Sequence, residues 1–198
     1  MVTTHIISIH VGKGKTAYQS IKERLDYIMN PEKTDGGILI SSHACSPETA
    51  AEEFMLYRQE YLNTTGRKRG DEVLAYHVRQ AFKPGEITAE KANEIGKALA
   101  ERLTDKQHAF VVATHIDKQH IHNHIIFCAT SLDGRQKYRD VKRSAKELVQ
   151  ISDALCEENG LSVICNPQDK AVPYDKWAGD LKKSSHRDDL RIMIDVAL

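Results

Sequence analysis

Apolar and β-branched positions from Thr3 to His10 read as a strand, broken by Gly12-Lys13-Gly14-Lys15. Thr16 stands three residues before Gln19, the capping-box spacing, and predicts a helix to about Met29. Pro31 and Gly36-Gly37 stop that helix, and Ile38 to Ser42 reads as a short apolar strand. Pro47 opens a second helix running to about Leu62, followed by the basic loop Gly66-Arg67-Lys68-Arg69-Gly70. Glu72 to Phe82 alternates as a strand and is stopped by Pro84-Gly85. Thr88 to Leu103 carries Ala92, Ile95, Leu99 and Leu103 at helical spacing. Two strands follow, Ala109 to His115 and Ile121 to Ala129, and the short polar link between them predicts an antiparallel hairpin. Ser131 to Tyr138 is a turn with a short strand. A fourth helix, Val141 to Glu158, lines up Val141, Ala145, Leu148, Ile151 and Leu155, and Asn159-Gly160 ends it. Leu161 to Cys165 reads as a last short strand; beyond Asn166-Pro167 the chain turns polar, with a further helix from Asp188 to Leu198. This order predicts an α+β domain, an antiparallel or mixed central sheet with packed helices.

The 198 residues suffice for one well-buried domain. Twenty-eight basic and 28 acidic residues balance, so any site for nucleic acid must be a local patch rather than a global surplus. Nowhere do 18 apolar residues run together, and the first residues carry no basic segment followed by an apolar one. The chain therefore reads as cytoplasmic, without membrane insertion. Cys45, Cys128, Cys156 and Cys165 form no C-x-x-C pair and read as reduced packing thiols.

Ten histidines change the picture, because His120, His122 and His124 fall within five residues and His115 closes the preceding strand. On a strand, positions i and i+2 share a face, so His122 and His124 project together, with His120 alongside in a longer strand. Neighbouring strands lie about 5 Å apart, so His115 reaches the same point across the hairpin. Three imidazoles converging from two strands make a facial metal site with open positions. His115 is preferred to His120 as third ligand, since a partner across the hairpin gives the better facial geometry. A divalent ion with neutral ligands keeps its charge and suits a phosphodiester. Asp117 reads either as an outer residue orienting an imidazole or as a solvated turn residue.

The first helix separates its two tyrosines. At about 100° per residue, Tyr18, Ile21, Leu25 and Ile28 share one stripe, and Tyr27 lies roughly 130° from its centre. Tyr18 is expected in the core and Tyr27 outside it. A phenol with a pKa near 10 needs a neighbouring cation or base to act as a nucleophile, which a metal site would supply.

The pattern His115-x-Asp117-x-x-His120-x-His122-x-His124 resembles the histidine motif of relaxases, the mobilisation nucleases of conjugative plasmids and transposons within the HUH endonuclease superfamily. It is most similar to the MobP class, in its Gram-positive conjugative-transposon branch. Leu25-Asp26-Tyr27-Ile28 with Asn30-Pro31-Glu32-Lys33-Thr34 resembles the nucleophile motif of that class. His77-x-x-Gln80-x-Phe82-Lys83-Pro84-Gly85-Glu86 resembles its middle motif, and Gly160-Leu161-Ser162-Val163 extends the likeness. Ala81 departs from the pattern, which usually carries a small hydroxyl residue there. The resemblance implies a relaxase-like fold over residues 1–165, with 166–198 as a C-terminal extension that begins a longer region. It implies a metal-dependent, strand-specific transesterase in which Tyr27 attacks a phosphate at the nic site of a transfer origin and forms a 5′-phosphotyrosyl link. His115, His122 and His124 would hold Mn²⁺ or Mg²⁺, with Asp117 in the catalytic set and His120, His77 and Glu86 as supporting candidates. Partners would be single-stranded and hairpin DNA at the transfer origin, accessory relaxosome proteins and a coupling protein.

Two basic segments are candidate DNA contacts. Arg135, Lys137, Arg139, Lys142, Arg143 and Lys146 surround Tyr138 with Asp140 as the sole acid, and Arg67, Lys68 and Arg69 form the second patch. Rival readings are a rolling-circle replication initiator, a metal-dependent hydrolase without covalent intermediate, and a non-catalytic origin-binding module. In an initiator the tyrosine normally follows the histidine strand, where only Tyr138 and Tyr174 stand here.

Overall fold

The capping box forms as its spacing predicts. Thr16 Oγ1 accepts the Gln19 amide at 3.1 Å, and Gln19 Oε1 accepts the Thr16 amide at 2.9 Å, which satisfies two donors at the start of helix α1 (Ala17–Ile28). The structure, a computed structural model, describes residues 2–67, 72–139 and 142–163, the side chains of Lys142 and Arg143 excepted. Ile21, Leu25 and Ile28 bury the inner stripe of α1. Each such side chain contributes on the order of 2 kcal/mol through burial. Tyr18 corrects the expectation of a core residue: it sits half-buried at the edge of the stripe, and its hydroxyl donates to Glu52 at 2.6 Å.

Five strands make one sheet, β1 (Thr3–Ile9), β2 (Ile40–His43), β3 (Ala75–Ala81), β4 (Phe110–His115) and β5 (His122–Cys128), in the order β1-β3-β5-β4-β2. Every pairing is antiparallel, which resolves the antiparallel-or-mixed alternative. Helix α1 and helix α2 (Ala50–Thr65) cover one face, burying Phe54 with Ile9, Ala75, Val111, Ile126 and Cys128. Helices α3 (Ala89–Leu103) and α4 (Lys142–Glu158) cover the other, burying Leu99 and Leu148 with Val78, Phe110, Ile125 and Phe127. The first cover is incomplete: Thr3, His5 and Ile7 point to the same side as Ile9 yet stay exposed.

Behind β5 runs a buried polar chain. Asn123 donates to the Ala92 carbonyl at 2.6 Å and to Gln80 Oε1 at 3.0 Å, and accepts from Thr114 at 2.7 Å. Asn93 continues it, donating to Thr114 and to the Leu39 carbonyl and bonding Ser41. These bonds pin the β4–β5 hairpin to α3 from behind.

Three boundaries differ from the pattern. A single 3₁₀ turn, Pro47–Thr49, precedes α2, because proline rigidifies the entry before the α-helical ladder begins. Strand β3 starts at Ala75 rather than Glu72, whose carboxylate is held by Arg58 and Lys137. Leu161 to Val163 forms no strand; Ser162 is tied instead through its carbonyl to the Val2 amide. Cys45, Cys128 and Cys156 are free thiols, and burial pushes Cys45 and Cys128 up to about 12 and Cys156 to about 11, as packing residues require. The compact unit ends at Val163. The expected extension 166–198, which includes Tyr174, and Cys165 just before it lie outside the described residues.

Candidate metal centre and its tyrosine

The β4–β5 register places His115 opposite His122 and Ala113 opposite His124, so three imidazoles share one face of two adjacent strands. One nitrogen from each of His115, His122 and His124 falls within 4.8 Å of the others, and all three rings are buried. Each ring also has one nitrogen engaged in a hydrogen bond. His115 Nε2 meets the Ile28 carbonyl at 2.7 Å, His122 Nδ1 meets the His120 carbonyl at 3.3 Å, and His124 Nδ1 meets His77 Nε2 at 2.8 Å. Such contacts fix ring orientation, and in His115 and His122, which donate to carbonyls, they leave the other ring nitrogen with its lone pair.

Electrostatics agree with that protonation. Burial, then the neighbouring histidines, drives His124 down to about 2; burial likewise brings His122 and His77 to about 4 and depresses His115. The imidazoles are therefore neutral near pH 7, the form a metal requires. Three converging neutral nitrogens on one face of the hairpin fit a divalent cation that keeps free coordination positions.

His120 is not one of the three. Its ring stacks on His122 at 5.0 Å, and its carbonyl, not its imidazole, reaches the cluster. Among the described residues the converging group is His115, His122 and His124, without His120. Asp117 lies on the exposed turn after β4 and pairs with Lys33 at 3.7 Å; the imidazoles bond carbonyls and His77 instead.

The last turn of α1 brings Tyr27 to the mouth of this cluster. Its ring lies 5.9 Å from that of His124 and 6.2 Å from that of His115, edge-on to both, with the residue 52% exposed. The turn after α1 is closed by Asn30, whose side chain caps the Glu32 amide at 2.9 Å, and by Thr34, which bonds the Asn30 carbonyl. The Lys33 carbonyl takes the Ile116 amide at 3.0 Å, and Lys33 Nζ sits 4.7 Å over the Tyr27 ring. The cation beside the phenol was not legible in the sequence, because its placement depends on this long-range bond.

The middle motif divides. His77 enters the site through His124, whereas Glu86 binds the amide and hydroxyl of Ser162, both at 2.9 Å, as a clasp on the end of the domain. The basic segments lie elsewhere. Arg67, Arg135, Lys137, Tyr138 and Arg139 line one cleft of about 490 Å³ with Tyr61. It opens beside Tyr76 and Ala129, at the end of the sheet opposite to His122, because β5 carries the chain about 20 Å away from the cluster. Within it Lys137 is neutralised by Glu72 at 2.5 Å, and Tyr138 packs edge-on to Phe127 and Tyr76. Lys68, Arg69 and the side chains of Lys142 and Arg143 lie outside the described residues.

The family model for "Relaxase: MobA/VirD2-like, nuclease domain" matches residues 27–161, from the tyrosine through the histidine hairpin to Leu161. The chain belongs to the relaxase family. It is similar to a protein Rlx of Staphylococcus aureus, 42% identical over 109 residues, covering 54% of this chain and 34% of that protein. A second Rlx of the same species is 31% identical over 155 residues, 76% of this chain and 44% of its length. The group II intron-interrupted relaxase LtrB of Lactococcus lactis subsp. cremoris is 30% identical over 187 residues, 76% of this chain and 33% of that protein. The chain thus spans between a third and a half of the length of these relatives.

The relaxase fold is shared with two solved structures. The MobM relaxase domain, solved Mn-bound with plasmid pMV158 oriT DNA, superposes with a TM-score of 0.59 at 9% identity, over 90% of this chain and 98% of that one. A structure from work on vancomycin resistance transfer in Staphylococcus aureus gives 0.56 at 15% identity, over 86% and 100%. The α+β architecture expected from the strand and helix order is therefore that of relaxase nuclease domains. No described helix is long and apolar enough to cross a membrane.

Proposed function

We propose that this domain is a metal-dependent nicking and joining transesterase acting on single-stranded and hairpin DNA at a transfer origin in conjugation. The observation that carries the reading is the Tyr27 ring edge-on to two of three buried imidazoles whose inward nitrogens converge. His115, His122 and His124 would hold a divalent ion, Mn²⁺ or Mg²⁺, with His77 orienting His124. When bound, the ion supplies positive charge to the non-bridging oxygens of the scissile phosphate. Tyr27 attacks that phosphorus through its hydroxyl oxygen. The bond from phosphorus to the 3′ oxygen breaks, the phenolic proton in net ends on that oxygen to give a 3′-hydroxyl, and a 5′-phosphotyrosyl ester remains. No external energy source is needed, since one phosphodiester is exchanged for another. Lys33, over the Tyr27 ring, adds charge on the phosphate side, and Asp117 steadies Lys33. The far cleft with Arg67, Arg135 and Arg139 suits phosphates of the same DNA some distance from the cut. The reaction belongs in the cytoplasm, in a complex with accessory relaxosome proteins and a coupling protein.

The test uses a labelled oligonucleotide from the transfer origin of the element that encodes the chain. With Mn²⁺ the wild type should give a covalent adduct on a denaturing gel, absent with Tyr27→Phe and absent in EDTA. Because Tyr27 is half exposed and its hydroxyl has no described partner, Tyr27→Phe should change stability by less than about 0.5 kcal/mol. Cleavage that persists without adduct would instead make the domain a hydrolase.

A further inference from the structure

Charge around the Tyr27–His124 pair is lopsided. On the β4 side the cation is Lys33, and Asp117 balances it. On the β1 side stand two arginines, Arg24 and Arg79, both exposed and both without a hydrogen-bond or ion-pair partner among the described residues. Arg79 lies directly opposite His124 in the β3–β5 ladder, a pairing that sets Cβ atoms about 5 Å apart. Arg24 precedes Tyr27 by three residues in α1, which puts the two side chains on one helix surface about 5–6 Å apart. Arg79 stands two residues from His77 on β3, on the same face of the sheet, and Arg24 and His77 line one cavity.

Beside them a cavity of about 190 Å³ opens between β1 and α1, lined by Arg24, His77, His10 and Lys15. Its one lining carboxylate, Glu23, is taken by Lys15. Two guanidiniums without an anionic partner on one side of the sheet leave positive charge uncompensated, and a bound anion offsets it. Their planar donor forks match phosphate oxygens in particular.

We infer that Arg24 and Arg79 form a second phosphate subsite, which takes the internucleotide phosphate next to the scissile one and leads the bound strand over the open β1 side of the sheet. This rests on the reading of the domain as a DNA transesterase. Arg24 and Arg79 act as positioning residues: a strand anchored one phosphate away cannot swing the scissile phosphorus out of line with Tyr27.

Two measurements test it. The first follows the salt dependence of binding to a dT12 oligonucleotide in EDTA, from 50 to 200 mM salt, for wild type, Arg24→Gln, Arg79→Gln and Arg102→Gln. Arg102 pairs with Glu158 on the opposite helix layer and serves as control. The slope of log affinity against log salt should fall by about 0.7 for each of the first two variants and stay unchanged for Arg102→Gln. Wild-type slopes in both Arg24→Gln and Arg79→Gln would overturn the subsite. The second uses the origin oligonucleotide with one neutral methylphosphonate on either side of the nic. Adduct formation by the wild type should slow at least tenfold at one of the two positions, and Arg79→Gln should no longer sense that linkage. Equal sensitivity in wild type and variant overturns the inference. A wild type that forms no adduct with unmodified DNA defeats the transesterase reading instead, and the salt slopes then still judge the arginines.

Discussion

His115 donates its Nε2 proton to the carbonyl of Ile28, 2.7 Å away, and Ile28 is the residue after Tyr27. A candidate metal ligand on the hairpin is thus bonded to the final turn of the helix that carries the candidate nucleophile. That carbonyl is one of the four that a helix end leaves without an internal partner. One hydrogen bond therefore fixes the distance between the two halves of the site while the phenol itself stays exposed.

Replacing His115 should show both roles. His115→Ala is expected to weaken Mn²⁺ binding by more than about 100-fold in a calorimetric titration. It should also lower stability in EDTA by about 1–3 kcal/mol, the cost of an unpaired buried carbonyl. His120→Ala leaves the three inward nitrogens in place and should change affinity by less than about tenfold. Equal losses in the two variants would return His120 to the ligand set.

His77 and Asp117 make opposite predictions. His77 bonds His124 directly, at 2.8 Å, so His77→Ala should cost about 10–100-fold in metal affinity, and His77→Gln should recover part of it by offering an acceptor. Asp117 bonds no imidazole and forms a partly exposed pair with Lys33, so Asp117→Asn should change stability by less than about 1 kcal/mol and leave metal affinity nearly unchanged. An Asp117→Asn loss matching that of His77→Ala would place the carboxylate in direct contact with a ligand.

Acid should unfold the metal-free domain early. His77 and His122 titrate at about 4 in the fold against about 6.5 in an open chain, and His124 lower still, so the unfolded chain binds protons that the folded one refuses. Their stabilising contribution is complete above pH 6.5 and is lost as pH falls through 4. Each histidine adds a slope of at most about 1.4 kcal/mol per pH unit in that window. Urea midpoints in EDTA should therefore fall between pH 7 and pH 5, and Mn²⁺ at pH 7 should raise them. A flat profile would mean that the rings are charged or solvated in the absence of metal.

Much of the site could be read before any coordinates. The i, i+2 spacing of His122 and His124 and the short link back to His115 force three rings onto one face, and the off-stripe angle of Tyr27 marks it as outside the core. What could not be read is register. That His77 meets His124, that Arg79 faces it, and that Lys33 caps Tyr27 all depend on which strand lies beside which, and β3 joins β5 across more than forty residues of chain. The place of the basic run that follows the histidine strand was hidden for the same reason. It follows β5 in sequence, but an extended strand delivers it to the far end of the sheet. Glu86 looked equal to His77 in the motif, and only tertiary packing sent it to Ser162 instead.

Gly96 tests the support behind the site. A Cβ at this position would meet Asn123 Nδ2 at 2.5 Å and Val112 Cγ1 at 3.0 Å, so α3 approaches the hairpin only because residue 96 has no side chain. Asn123 lies between His122 and His124 in sequence but points to the opposite face, where Ala92, Gln80 and Thr114 saturate its amide. Gly96→Ala must push either the helix or this amide aside, at about 1–3 kcal/mol. Asn123→Ala leaves the Thr114 hydroxyl and the Gln80 carbonyl oxygen without that partner, at a similar cost. Because the hairpin is held from this side, both variants should also weaken Mn²⁺ binding although neither residue faces the cluster. A melt that shifts while metal affinity stays at the wild-type value would mean that the three imidazoles are set by β4 and β5 alone, and that the chain of buried amides serves the fold without serving the site.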